Sequence, residues 1–237
     1  MELILAEKPS AARNFAKALG GKTGNYAGTE YKITNLRGHV MGLLPPDKQV
    51  PTEKVEFYKS WDLENLPWNL NDFAWKKGIL SGCKDIISGL KDELKEADCV
   101  VIATDVDPSG EGELLAWEAL EKCGWRGPTK RMYFADEAPA SVQKAFRERK
   151  TLPSMNKDGD YVKAVVRERW DLASMQFTRA ATLVARKKGF RTVVRQGRLK
   201  SVMVKLTGDQ LKAYNEYVRK PFYEARFKDE NGNIFAS

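Results

Sequence analysis

The sequence predicts an α/β domain on a mostly parallel sheet flanked by helices, followed by a mainly helical segment. Three observations carry that expectation. Leu3-Ile4-Leu5-Ala6 and Cys99-Val100-Val101-Ile102-Ala103 are continuous apolar runs, the mark of strands buried on both faces. Stretches of helical periodicity alternate with strand-like runs along the first 150 residues. Polar loops follow the strands, at the carboxyl ends where such sheets place their ligands.

In chain order, Glu7-Lys8-Pro9-Ser10 reads as a turn and residues 11–19 as a helix closed by Gly20-Gly21. Residues 31–36 alternate as a strand that leads into Gly38-His39. Residues 57–75 are irregular and aromatic-rich, with Trp61, Trp68 and Trp75 around Leu66-Pro67, and 79–94 have helical periodicity. An acidic loop follows the strand at 99–103, then a helix over 113–122, a strand over 131–134 and a helix over 140–149.

Residues 151–160, with Pro153 and Gly159, read as a linker. They divide a first domain, 1–150, from a helical, basic region, 151–237. Helices are predicted over 161–187 and 200–217, where helical spacing favours packing for Trp170, Phe177, Tyr214 and Tyr217, with base stacking as the alternative for Trp170 and Phe177. Residues 222–227 alternate as a strand, Asp229-Glu230-Asn231-Gly232 carries the Asn-Gly hairpin signal, and 233–235 begin a return strand. A hairpin cut off in its second strand predicts truncation.

A hydrophobic share of 42% supports a core, and 30% charged residues indicate a soluble chain. No run approaches the roughly 18 apolar residues of a membrane helix, and the first residues lack the pattern of a secretory signal. Cys83, Cys99 and Cys123 form neither a disulfide framework nor a zinc pair, which favours a reducing, cytoplasmic setting. With one histidine, His39, a His/Cys metal site is not expected. The net charge of +8 suits a polyanionic partner. It is unevenly placed: 167–198 carries Arg167, Arg169, Arg179, Arg198 and further cations against only Glu168 and Asp171.

The chemistry concentrates in the loop from Asp105 to Glu113. Asp105 and Asp107 are two apart and leave an extended strand end on the same side. Carboxylates so close repel each other unless a cation neutralises them. Magnesium, a hard ion that needs few protein carboxylates, is the natural candidate. The competing reading is an acidic, solvated helix start. Glu7 also ends a buried strand and, in a parallel sheet, emerges at the same edge as Asp105.

A Glu and an Asp-x-Asp pair at one sheet edge resemble the Toprim domain. Glu7-Lys8-Pro9-Ser10 is similar to the opening of type IA DNA topoisomerases, and Gly38-His39 resembles their Gly-His turn. Trp61 with Leu66-Pro67 resembles a segment of the topoisomerase III branch. Asp105-Val106-Asp107 followed by Glu111-Gly112-Glu113 resembles their Asp-x-Asp-Arg-Glu-Gly-Glu motif. Residues 167–182, with Thr178-Arg179-Ala180, resemble a helix of their DNA-binding region, and Gln196-Gly197-Arg198-Leu199-Lys200-Ser201 resembles a Gly-Arg-Val-Gln segment. The resemblance runs in the family's order over nearly the whole chain. Three departures stand out. Pro108-Ser109-Gly110 replaces the single Arg of the motif, Lys200 replaces a Gln, and Asp171 falls one place from the family's Asp.

The resemblance implies a Toprim-type sheet and a part in transient single-strand cleavage, strand passage and religation. It implies Mg2+ held by Glu7, Asp105, Asp107 and Glu111, with Glu113 as the alternative to Glu111. Glu7 and Lys8 would be catalytic, Lys8 as the general acid toward the leaving 3′ oxygen. DNA, chiefly single-stranded, would be the partner, through Arg167, Arg169, Arg179 and Arg198, with no membrane and no small-molecule cofactor. None of the tyrosines has the family's Tyr-x-Arg-Thr-like setting, so the nucleophilic tyrosine is expected beyond this chain and the chain alone is expected to be inactive. Two other classes compete: another Toprim enzyme, such as a primase or OLD-type nuclease, and a non-catalytic single-stranded DNA-binding module. The first shares the acidic site without the 167–201 region, and the second predicts no metal dependence.

Overall fold

The computed structural model describes residues 1–236. Its elements run β1 (Glu2–Ala6), α1 (Pro9–Leu19), β2 (Thr23–Tyr26), β3 (Thr29–Asn35), β4 (Met41–Leu43), α2 (Pro46–Gln49), α3 (Val55–Lys59), β5 (Lys77–Ile79), α4 (Lys84–Glu93), β6 (Cys99–Ala103), α5 (Glu111–Cys123), β7 (Thr129–Arg131), α6 (Pro139–Arg147), β8 (Lys150–Thr151), α7 (Gly159–Lys187), α8 (Lys200–Asn215), β9 (Arg226–Lys228) and β10 (Ile234–Ala236). The main sheet has the order β2-β3-β1-β6-β7-β8. Its four inner strands are parallel, and the edge strands β2 and β8 run antiparallel to their neighbours.

Alternation along β1 and β6 sends side chains to two cores. Leu3, Leu5, Val100 and Ile102 pack under α4, α5 and α7, while Ile4, Ala6, Val101 and Ala103 pack under α1 and α6. Every residue of both strands is buried, as their apolar runs require. Pro9 opens α1, and Gly20, at φ 95°, closes it. The aromatic-rich stretch holds α3 and builds a third cluster of Val50, Tyr58, Trp68, Phe73 and Leu172.

The sequence missed the short strands β2, β4 and β8. The helix expected over 79–94 starts at Lys84, because Lys77–Ile79 pairs with Met41–Leu43 as a two-stranded ribbon. Trp170, Phe177, Tyr214 and Tyr217, expected to pack, are all more than half exposed. The buried face of α7 uses Tyr161, Ala164, Leu172 and Ala173 instead.

The chain divides into compact units at Met1–Arg195 and Gln196–Ser237. The dividing point lies well beyond the linker at 151–160, because α7 packs along α5 inside the first unit. The second unit contains α8 and the β9–β10 hairpin, whose register pairs Phe227 with Phe235. Among the described residues no helix is long and apolar enough to cross a membrane.

Candidate active site

Parallel pairing in register, Ala6 beside Ala103, brings the ends of β1 and β6 out at one edge. The Glu7 carboxylate there accepts a hydrogen bond from the backbone N–H of Asp105 at 3.1 Å. Lys8 Nζ donates to Asp105 Oδ2 at 3.2 Å, and both side chains are partly exposed. That hydrogen bond raises the Lys8 pKa above its ordinary value and keeps the ammonium charged. So exposed a pair adds little stability; its interest is chemical.

Asp107 faces the start of α5. Its Oδ1 accepts from the N–H and hydroxyl of Ser109, and its Oδ2 from the N–H groups of Glu111 (3.2 Å) and Gly112 (3.4 Å). A carboxylate suits the positive end of a helix. Burial pushes the Asp107 pKa up, but these donors outweigh it and the net shift is downward. Glu111 is bound on both oxygens, by His39 Nε2 at 2.7 Å and by Arg167 at 2.9 Å. The His39 hydrogen bond is the largest influence lowering its pKa. Arg167 also donates to Ser109 Oγ, so α7 reaches the expanded loop at the point where the family motif's Arg is missing.

Glu113, the alternative to Glu111, has different surroundings. It is buried and bonded to Arg131 Nε at 2.6 Å, on the core side of α5, so it does not join the acidic edge. The four proposed ligands are not gathered either. Among the described residues no three His, Cys, Asp or Glu side chains lie close enough to hold a metal ion. Asp105 faces Lys8, Asp107 the helix start and Glu111 the His39–Arg167 pair. In donor chemistry the set still fits magnesium: a few hard carboxylate oxygens, just past the end of β1, in the loop after β6 and at the first residue of α5.

The four predicted DNA contacts have different surroundings. Arg167 lies at the acidic loop, and the guanidinium of Arg169 sits 5.1 Å from the centre of the Trp75 ring. Arg198 is exposed in the second unit. Arg179 is buried. It donates to the carbonyls of Tyr58 and Ser60 and lies against Trp68 and Trp61, so its guanidinium is turned inward to protein partners. Sequence reasoning assigned no site role to His39, Ser109 or Arg131. The Gly-His turn pointed to the first, and nothing local to the other two.

The depressed carboxyls have a consequence for stability. As pH falls, the unfolded chain takes up protons first, near 3.8 for Asp107 and 4.5 for Glu111, while the folded carboxylates resist. Their stabilisation is therefore whole above about pH 5 and drains away as pH drops through the folded values. Melting temperatures between pH 6 and 3 should fall, and Asp107→Asn should flatten that fall. A variant profile parallel to the wild type would contradict the assignment.

A family model described as the Toprim domain matches residues 2–136, more than half of the chain. The chain belongs to the Toprim family. It is 28% identical over 236 residues to DNA topoisomerase 3 of Shouchella clausii, a match covering 98% of this chain and 30% of that protein. With DNA topoisomerase 3 of Staphylococcus epidermidis it shares 30% identity over 151 residues, or 62% of this chain and 20% of the relative. The chain thus spans between a fifth and a third of these relatives. Full-length topoisomerase I from Thermotoga maritima shares the fold, with a TM-score of 0.65 at 20% identity over 96% of this chain and 33% of that one. These likenesses agree with the type IA resemblance of the motifs. The Toprim match contains Glu7, Asp105, Asp107 and Glu111.

Proposed function

We propose that this chain is the Toprim-bearing portion of a type IA DNA topoisomerase, which changes DNA topology by transient single-strand cleavage, strand passage and religation. One observation supports the reading above the others: Glu7, Lys8 and Asp105 meet at the carboxyl edge of two adjacent parallel strands. A solvated helix start accounts for Asp107 alone and leaves the other three unexplained. The resemblance over 167–201, which other Toprim enzymes such as primases and OLD-type nucleases do not share, ranks them below the topoisomerase.

In this reading a tyrosine outside these 237 residues attacks the scissile phosphorus, forms a 5′ phosphotyrosyl bond and releases the 3′ oxygen. Lys8 donates a proton to that oxygen and takes it back on religation. Asp105, through its ion pair, keeps Lys8 protonated until the leaving oxygen needs the proton. Glu7 orients the Asp105 backbone and adds its charge to the edge. Asp105 and Asp107, with Glu7 and Glu111 beside them, would hold Mg2+, which when bound neutralises phosphate charge. Arg167 and Arg169 bind the DNA backbone, for which the planar guanidinium is suited, and Arg198 adds a contact from the second unit. Single-stranded DNA is the favoured partner in a cytoplasmic setting, and the chain alone does not relax DNA.

Magnesium titration of the chain, followed by NMR or calorimetry, tests the reading. The wild type should show saturable shifts centred on the loop after β6, and Asp105→Asn/Asp107→Asn should lose them. Identical responses would reduce the loop to a solvated helix start.

A further inference from the structure

We propose that Arg131 and Glu113 form a positioning brace that aims Asp105, an inference that rests on reading Asp105 and Asp107 as the cation-holding pair. Arg131 ends β7 and is fully buried, and Glu113 in the first turn of α5 is 3% exposed. The guanidinium donates to Glu113 Oε1 at 2.6 Å, to the carbonyls of Thr104 at 2.7 Å and Met132 at 3.1 Å, and to that of Asp105 at 3.1 Å. One planar group therefore ties β7, the end of β6 and the start of α5 together.

The positions of those carbonyls matter. The Thr104 carbonyl shares a peptide plane with the Asp105 N–H, and the Asp105 carbonyl belongs to the next plane. Holding both fixes the planes on either side of the Asp105 Cα, and with them its Cα–Cβ direction, after which the Lys8 hydrogen bond holds the carboxylate. The first plane also points the Asp105 N–H at Glu7. The hydroxyl of Thr104 donates to the Gly112 carbonyl at 2.8 Å and closes the loop onto α5. Glu113 has a second part: it neutralises Arg131, so no net positive charge sits beneath a site that must attract a cation.

A lysine is a point charge and cannot span this fork. An apolar pair, by contrast, often matches a buried ion pair in stability. That difference separates positioning from mere packing. In the metal-free chain, Arg131→Lys and the double variant Arg131→Met/Glu113→Leu should speed hydrogen exchange at the Asp105 amide about tenfold relative to amides of β1 and β3. Both should also weaken magnesium binding by about tenfold to a hundredfold. Glu113→Gln, which leaves the buried charge unbalanced, should weaken magnesium without speeding Asp105 exchange as much. The double variant also strands the carbonyls of Thr104, Met132 and Asp105, so it should melt below the wild type, and if it does not fold, the single variants carry the test. Unchanged Asp105 exchange in Arg131→Lys would overturn the brace. A wild type indifferent to magnesium would instead overturn the cation-holding reading, while Asp105 exchange would still decide the brace.

Discussion

Gly112→Ala is expected to destabilise the first unit by about 3 kcal/mol, the upper range for forcing atoms into a packed site. A Cβ at Gly112 would lie 2.1 Å from the Asp105 carbonyl oxygen and 3.0 Å from Thr104 Oγ1. The first of these is backbone, held in place by Arg131, so it cannot swing aside as a flexible side chain would. Gly110 is constrained twice: its φ of 75° lies in the left-handed region, and its Cβ would meet the Asp160 carbonyl oxygen at 2.2 Å. The α5 helix can start this close to β6, with α7 across the same loop, only because neither position carries a side chain. Gly89, in the middle of α4 with nothing within 4 Å of a Cβ, is the control. Gly89→Ala should stabilise by up to about 1 kcal/mol through helix propensity. Urea unfolding midpoints compare the three. A Gly112→Ala midpoint equal to the wild type would mean that α5 can retreat from the strand end without loss.

The parts of this molecule legible in the sequence are those with local causes. The apolar runs of β1 and β6 need two covering layers, and they have them. Once those strands are parallel neighbours, Glu7 and Asp105 must share an edge. The helices α1, α5, α6, α7 and α8 follow from periodicity, and Gly20 and Gly124 close the first two in the left-handed conformation. What escaped is set by partners far along the chain. The strands β2 and β8 owe their state to β3 and β7, not to their own patterning. Glu111 and Glu113 are equivalent as acidic residues near a loop. Only the helix turn between them sends one toward His39 and Arg167 and the other inward to Arg131. Nothing near Arg131 in the sequence shows that three elements converge on it. Trp170 and Phe177 show the limit of periodicity, since a helical apolar spacing says that a face exists but not that this chain covers it.

Arg179→Ala should cost about 2–4 kcal/mol of stability, the range for emptying a packed site and stranding buried hydrogen-bond partners. The guanidinium carbon lies 4.7 Å from the Trp68 ring centre and 5.4 Å from that of Trp61, and one nitrogen serves the carbonyls of Tyr58 and Ser60. Burial lowers the Arg179 pKa, as expected for a cation drawn out of water. The two indole faces and two carbonyl dipoles replace part of the lost hydration. Removing the side chain would leave those carbonyls unpaired and loosen the Tyr58–Trp68–Phe73 cluster, which Leu172 and Gln176 of α7 would still contact. Arg179→Lys should be nearly as damaging, because a compact ammonium cannot replace a planar guanidinium that meets two indole rings and reaches both carbonyls. Binding to single-stranded DNA separates this role from phosphate contact. Each phosphate neutralised adds about 0.7 to the slope of log affinity against log salt for single strands. Arg167→Ala should lower that slope by about this amount with little loss of stability. Arg179→Ala, measured well below its melting temperature, should leave the slope unchanged. The opposite pattern, wild-type stability with a reduced slope, would make Arg179 a DNA contact after all and would require its side chain to leave the tryptophans when DNA arrives.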